Sequence, residues 1–108
     1  MVRNLMGEWA ENSFDVWSVD GSRTVTGLVS GPFGIHFDDL RDSSGWRVTH
    51  LGTGLFIWEP FKSLEIAKEF VVRILPLADW DKVDPDRPPA ILEINEIAEE
   101  LTHGGLFL

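Results

Sequence analysis

The stretch HLGTGLFIWEPFKSLEIAKEF, residues 50–70, contains the signals that decide the fold. Two glycines, Gly52 and Gly54, precede the apolar run LFIW, and a pattern of helical period begins near Ser63. A phosphate-binding loop would lead directly into a helix, whereas here the helix starts nine residues after Gly54. The two glycines therefore predict a turn between two strands, and Ser63 predicts the start of a packing helix.

Strand signals extend upstream of this hairpin, back to about residue 14. The segments FDVWSV, RTVTGLVS, FGIHF and WRVTHL are rich in β-branched and aromatic residues, and Asp20-Gly21 is a typical hairpin-turn dipeptide. Residues 14–59 are therefore predicted to form an antiparallel sheet of three to five strands. Because the helical patterns follow the strands instead of alternating with them, we predict the α+β class.

Two helices are predicted after the sheet. Apolar residues occupy one half of the first helix, about residues 63–75, which Pro76 ends. A second, acidic helix covers about residues 90–101, and the Pro- and Asp-rich segment 76–89 connects the two. Residues 1–13 are expected to be a loose arm or a short helix.

The length of 108 residues fits one domain, residues 1–108. No apolar run approaches the roughly 20 residues of a membrane span, and no signal-peptide pattern begins the chain. The absence of cysteine excludes disulfides and thiol chemistry, and it favours a cytoplasmic protein.

Acidic residues are concentrated in the last third of the chain. The net charge is −9, and residues 79–108 carry eight acidic but only two basic residues. Such a surface repels nucleic-acid phosphates and attracts basic proteins. The same charge is also typical of a well-solvated protein with no such partner.

The second helix carries the best candidate for a partner-binding surface. Its outer face holds Glu93, Glu96, Glu99 and Glu100, with no basic residue to pair, and Leu92 projects from the middle of it. An apolar centre within an acidic rim suits a basic partner with an apolar anchor. The alternative is an ordinary solvated helix face with one exposed leucine.

The sheet offers a second candidate surface. Whichever register holds, large apolar groups must point away from the first helix. These are either Leu55 and Ile57 or Phe56 and Trp58, and Arg47 and Thr49 of the neighbouring strand face the same way. Such a face must be covered, and we expect the C-terminal half of the chain to cover it. The N-terminal arm and a second subunit, which would make a homodimer, are the alternatives.

Catalytic and metal-binding patterns are sparse. His36 and Asp38 share one face of a strand, but zinc requires three or four ligands and no second cluster is visible. Glu59 lies beside a tryptophan, without a recognisable catalytic partner. We therefore expect no metal, no cofactor and no enzymatic activity, and a small-ligand or catalytic pocket near these three residues is a secondary alternative.

Residues 46–70, with the rhythm GWRVTH, a glycine turn, GLFIWEPF and KSLEIAKEF, resemble a known module. It is the three-stranded sheet with a helix found in plant ethylene-response DNA-binding domains and in the arm-binding domains of phage integrases. The resemblance implies strands that enter the major groove, although Arg47 is the only base on these two strands. Small proteins of this build also resemble accessory proteins of phages and mobile elements.

The leading hypothesis is a non-enzymatic, acidic protein-binding module, an accessory or inhibitory protein for a basic partner. The alternative is a nucleic-acid-binding module that uses the sheet face, beside Arg23, Arg41 and Arg47. The net charge makes nucleic acid the less favoured partner.

Overall fold

The computed structural model of the chain describes residues 9–18, 21–38, 44–83 and 91–103, which form one sheet and two helices. The strands are β1 Ala10–Ser18, β2 Gly21–Ser30, β3 Phe33–Asp38, β4 Gly45–His50 and β5 Leu55–Phe61, and the helices are α1 Leu64–Ile74 and α2 Ile91–His103. Each strand pairs antiparallel with the next one in the chain. The predicted α+β class, with an antiparallel sheet ahead of two helices, is confirmed.

The sheet begins earlier than the sequence suggested. β1 starts at Ala10 instead of near residue 14, and Ala10 lies opposite Val29 of β2. The polar residues at the start of β1 are exposed, which is why they lack the apolar alternation of a strand. Trp9 packs against the hydrophobic core, so the expectation of a loose arm is wrong for residues 9–13. Residues 1–8 lie outside the described part of the chain.

Residues 50–70 fold as the turn and second strand of a hairpin, followed by a capped helix. Gly54 has a φ of +75°, a left-handed conformation that carries no steric penalty for glycine, and its N–H donates to the His50 carbonyl at 2.7 Å. The Ser63 hydroxyl accepts a hydrogen bond from the Ile66 N–H at 3.1 Å, which confirms the predicted N-cap. The segment after α1 forms two short 3-10 turns, Leu75–Leu77 and Trp80–Lys82.

The two helices cover one face of strands β3–β5, which we call the helix face. Ile35 lies opposite Val48, and Val48 lies opposite Ile57, so these three side chains share this face. Ile35 and Val48 belong to the hydrophobic core, and Ile57 packs against it. The buried members of this core are Phe33, Ile35, Val48, Phe61, Ala67, Phe70, Val71, Ile74, Trp80, Ile94 and Ala98. Because Ile94 and Ala98 belong to this core, α2 lies on the same side of the sheet as α1.

Strand β2 separates from β3 at Gly27. It pairs with β1 from end to end, but with β3 only through Leu28–Ser30. A Cβ atom at Gly27 would overlap the carbonyl oxygen of Ile35 and would lie 2.9 Å from the Cβ of His36. Glycine within a strand often marks such a close approach or a corner. Before this corner, β1 and residues 21–26 form what we call the first hairpin.

The first hairpin lies across the second face of strands β3–β5, which we call the hairpin face. The Phe14 ring lies on Gly34 of β3, with ring atoms 2.8 Å from where a Cβ atom would stand. Further along β1, the backbone N–H of Trp17 donates a hydrogen bond to the backbone carbonyl of Gly54, just before β5, with an N–O distance of 2.8 Å. Val16, between these two contacts, is fully buried. The hairpin therefore spans the sheet from β3 to β5.

This arrangement corrects one expectation from the sequence. The C-terminal half of the chain does not cover the second face of the sheet, because α2 packs beside α1. The face is covered by the chain's own first hairpin. The apolar residues on both sides of β5 predicted that the second face must be covered, and it is. Strand alternation alone does not indicate which segment supplies the cover.

We expect Gly27→Ala to lower the free energy of unfolding by about 1–3 kcal/mol, because the added methyl group forces the corner apart. Urea denaturation followed by tryptophan fluorescence measures this change. Ser22→Ala, at an exposed position of the same strand, is the control and should stay within about 0.5 kcal/mol of the wild type. If both variants have equal stability, β2 does not turn at Gly27.

Candidate functional site

The outer face of α2 is accessible in the folded chain. Leu92 is 73 % exposed, more than any other large hydrophobic residue among those described. Glu93, Glu96 and Glu99 are exposed around it, and none of the ion pairs between described residues includes them. The structure thus brings these predicted site residues together on one helix, with Leu92 unburied.

Glu100, the fifth predicted residue of this face, is held differently. An Nη atom of Arg73 on α1 lies 3.2 Å from a carboxylate oxygen of Glu100, and the Nε of Arg73 donates to Glu69 at 2.9 Å. The expectation that no base pairs with this face is therefore wrong at Glu100. A base from another helix was not visible in the pattern of α2 alone.

The sheet-face candidates lie on the hairpin face. Arg47 is opposite His36, and Thr49 is opposite both Gly34 and Phe56, so their side chains point to the same side. The first hairpin covers them. The structure therefore places Arg47, Thr49 and Phe56 in a covered interior, together with His36 and Asp38.

Trp58, the fourth sheet-face candidate, does not join them. The pairing of β4 with β5 shifts between Trp46 and Val48, and Trp58 has a φ of +72°, unusual for a bulky residue. This bulge re-aims the side chain, and Trp58 packs against the core on the helix face. Strict alternation of side chains along β5 would place Trp58 on the hairpin face, together with Phe56.

Asp38 is the centre of an ion-pair network on the hairpin face. Its carboxylate accepts a hydrogen bond from the Nε of Arg47 at 2.8 Å and lies 3.6 Å from the nearest Nη of Arg23. The guanidinium of Arg47 also lies over the Phe56 ring, 4.2 Å from its centroid. Exposure of the side chains rises from 6 % for Asp38 to 12 % for Arg47 and 55 % for Arg23.

His36 is buried beside this network. It is 3 % exposed, neither ring nitrogen has a hydrogen-bond partner among the described residues, and the Phe14 ring meets it edge-on with ring centroids 6.0 Å apart. Burial lowers its pKa from the ordinary value of 6.5; the charge of Asp38 acts in the opposite direction, while Arg23 and Arg47 lower the pKa further. The imidazole is therefore neutral at pH 7.

Thr49 adds a second unpartnered group to the same interior. It is fully buried, and its Oγ1 has no hydrogen-bond partner among the described residues. We call Arg23, His36, Asp38, Arg47 and Thr49 the covered polar cluster. Two residues that shape this interior were not identified from the sequence: Phe14, whose ring covers His36, and Gly27, where β2 separates from β3. A lone glycine inside a strand pattern is a signal for such a close approach.

The described residues include no group of three or more side chains suited to hold a metal ion. His36 and Asp38 do share a face, as their spacing predicted, but Arg47 and Arg23 already engage the carboxylate. The side chain of Glu59, the third residue of that hypothesis, lies outside the described part of the chain.

A groove of about 290 Å³ lies at the turn between β4 and β5. It is lined by Pro32, His50, Leu51, Gly52, Thr53, Trp80, Asp81 and Val83. The Nε2–H of His50 donates to the Trp80 carbonyl at 2.6 Å, and Nδ1 lies 3.0 Å from the Thr53 hydroxyl. Nε2 of His50 therefore joins the end of β4 to the segment after α1, while Nδ1 is engaged within the turn. Neither His36 nor Asp38 lines the groove.

Comparison of the chain with protein families, with curated protein sequences and with solved structures found no match. The resemblance of residues 46–70 to ethylene-response and integrase arm-binding domains therefore stays a prediction. Within the described ranges, no helix has the length and apolar character needed to cross a membrane.

We expect His36 to make the folded protein less stable as the pH falls below 6.5. Its pKa is lower in the folded than in the unfolded chain, so the unfolded chain binds more protons in this range and unfolding is favoured. Melting temperatures of the wild type and of His36→Leu between pH 7.5 and 5 measure the effect, since the carboxylates are common to both. The variant should lose less stability on acidification.

The pKa of His36 is also directly measurable, from the pH dependence of its ring proton shifts by NMR. A value at or above 6.5 would contradict the burial of an unpartnered imidazole.

Proposed function

We propose that this protein is a non-enzymatic, acidic protein-binding module, an accessory or inhibitory protein whose contact surface is the outer face of α2. The contact residues are Leu92, Glu93, Glu96, Glu99 and Glu100. The exposure of Leu92, at 73 %, carries the proposal. Leu92 buries little of its side chain in the folded chain, whereas Ile94 and Ala98 of the same helix are buried in the core.

The chemistry of this face defines the partner. Burying the leucine side chain in a complex contributes up to roughly 2 kcal/mol through the hydrophobic effect. Exposed carboxylates add little affinity on their own, but they accelerate encounter with a basic surface and disfavour acidic ones. The partner is therefore a protein that presents an apolar pocket within a ring of lysine or arginine side chains.

Arg73 limits one end of the face. It holds Glu100 against α1, so this carboxylate meets a partner in a fixed position, already partly neutralised. Glu93, Glu96 and Glu99 have no such pairing among the described residues. We therefore expect these three carboxylates to contribute most of the dependence of binding on salt.

The alternatives find less support in the geometry. A nucleic-acid contact through the sheet would require several accessible basic side chains. Arg23 is 55 % exposed, but Arg47 is 12 % exposed and engaged by Asp38, and Arg41 lies outside the described part of the chain. A catalytic pocket at His36 and Asp38 would require access to residues that are 3 % and 5 % exposed. Opening the first hairpin would be a precondition for either.

The test is affinity capture from the native host with the wild type and with the double variant Leu92→Arg/Glu96→Lys, followed by binding measurements on the purified captured protein. Both positions are exposed, so the double variant should keep the wild-type melting temperature within a few degrees. We expect it to weaken binding at least tenfold. We also expect the wild type to bind more weakly at 0.3 M than at 0.05 M salt.

Glu65→Lys is the matched control, because Glu65 is an exposed acidic residue of α1 and is not one of the proposed contact residues. It changes the net charge as Glu96→Lys does and should leave binding close to that of the wild type. Equal loss in the control and in the double variant would indicate net charge, not the α2 face. Unchanged capture by the double variant would contradict the proposal.

A further inference from the structure

Two buried polar side chains under the first hairpin, His36 and Thr49, have no hydrogen-bond partner in the part of the chain that the structure describes. His36 offers one N–H donor and one ring-nitrogen acceptor in its neutral form, and Thr49 offers a hydroxyl. Buried groups of this kind are nearly always hydrogen-bonded in folded proteins, and each exception requires an explanation, such as a bound water or ligand. Both groups belong to the covered polar cluster.

The charge of this cluster has the opposite sign to that of the chain. Its described side chains carry two guanidinium groups, on Arg23 and Arg47, against one carboxylate, on Asp38, whereas the chain has a net charge of −9. With His36 neutral, the described side chains of the cluster carry a net charge of +1, and the exposed Arg23 places this charge at the outer edge of the cluster. A monoanion would neutralise it.

We propose that the covered polar cluster binds a small molecule that carries one carboxylate group. Its oxygens would accept hydrogen bonds from the ring N–H of His36, the hydroxyl of Thr49 and the Nη groups of Arg47. Arginine and carboxylate match in geometry as well as in charge. Asp38 is a positioning residue, since its bond to the Nε of Arg47 fixes the orientation of that guanidinium.

Access to this site runs from Arg23 inward. Side-chain exposure falls from 55 % at Arg23 through 12 % at Arg47 to 6 % at Asp38, and His36 lies deepest at 3 %. Among the described residues, the cover of this site is the first hairpin, which leaves the β3 ladder at Gly27 and places Phe14 over His36. Rotation of this hairpin about Gly27, with loss of the backbone hydrogen bond from Trp17 to Gly54, would lift Phe14 and admit the ligand, so the hairpin serves as a lid.

Binding is tested by NMR titration of the full chain with acetate, at constant ionic strength set by chloride and at pH 7. Acetamide, which has the same shape without the charge, is the matched ligand control. We expect saturable shifts at the His36 ring and at the amide groups around Thr49 with acetate, and binding at least tenfold weaker with acetamide.

Three variants locate the site. Arg23→Gln removes an exposed guanidinium of the lid and should weaken acetate binding about fivefold, because one positive charge near the anion is lost. Arg73→Gln removes an exposed guanidinium on α1 and should leave acetate binding unchanged. Thr49→Val should raise the melting temperature of the ligand-free protein, because an unpaired hydroxyl is replaced by a methyl group, while it weakens acetate binding.

Three results would overturn the inference. Shifts that never saturate, or that are equal for acetate and acetamide, would show that no carboxylate site exists. A lower melting temperature for Thr49→Val would show that the hydroxyl is satisfied by an ordered water only. Equal losses for Arg23→Gln and Arg73→Gln would indicate general charge. None of these results bears on the α2 face, which is tested by its own variants.

Discussion

The close approach of β2 to β3 at Gly27 is the constraint on which the rest of the structure depends. Because this residue has no side chain, the β2 backbone can lie against the carbonyl of Ile35. β2 pairs with β3 only after this point, through Leu28–Ser30. The first hairpin can then lie across the sheet, where it buries Val16 and partly buries Phe14. Without this corner, β2 would continue beside β3, and the hairpin face would be open to water.

The hairpin also buries an ion pair. It covers Asp38 and Arg47, whose charges cancel, together with the imidazole of His36. The carboxylates of α2 remain outside, with Leu92 among them, and Arg23 is 55 % exposed at the edge of the hairpin. The α2 face offered to other proteins is therefore acidic with an apolar centre. The two proposed sites face different parts of the molecule and select ligands of opposite charge.

Local signals predicted the elements of this fold well. Ser63 caps α1 as expected, Gly54 adopts the turn conformation that only glycine takes without strain, and the apolar stripe of α2 is buried at Ile94 and Ala98. Each of these depends on residues close together in the chain, so the sequence pattern contains the necessary information.

Tertiary relations were not predictable in the same way. The cover of the hairpin face depends on a contact between Phe14 and Gly34, twenty residues apart. The bulge at Trp58 breaks the alternation on which side assignment relied, and Arg73 reaches Glu100 from another helix. The candidate site on α2 was visible from its own sequence. The covered polar cluster was not, because its members come from three strands, β2, β3 and β4.

The most direct test of this structure is whether the Phe14 ring lies on Gly34. Nuclear Overhauser effects between the Phe14 ring protons and the Gly34 α protons, recorded on the intact protein at pH 7, measure this contact. The structure requires strong cross-peaks and Gly34 α-proton shifts displaced by the ring current. Absence of these cross-peaks, with Phe14 ring protons exposed to solvent, would show that the first hairpin does not cover the sheet and that His36 is not buried.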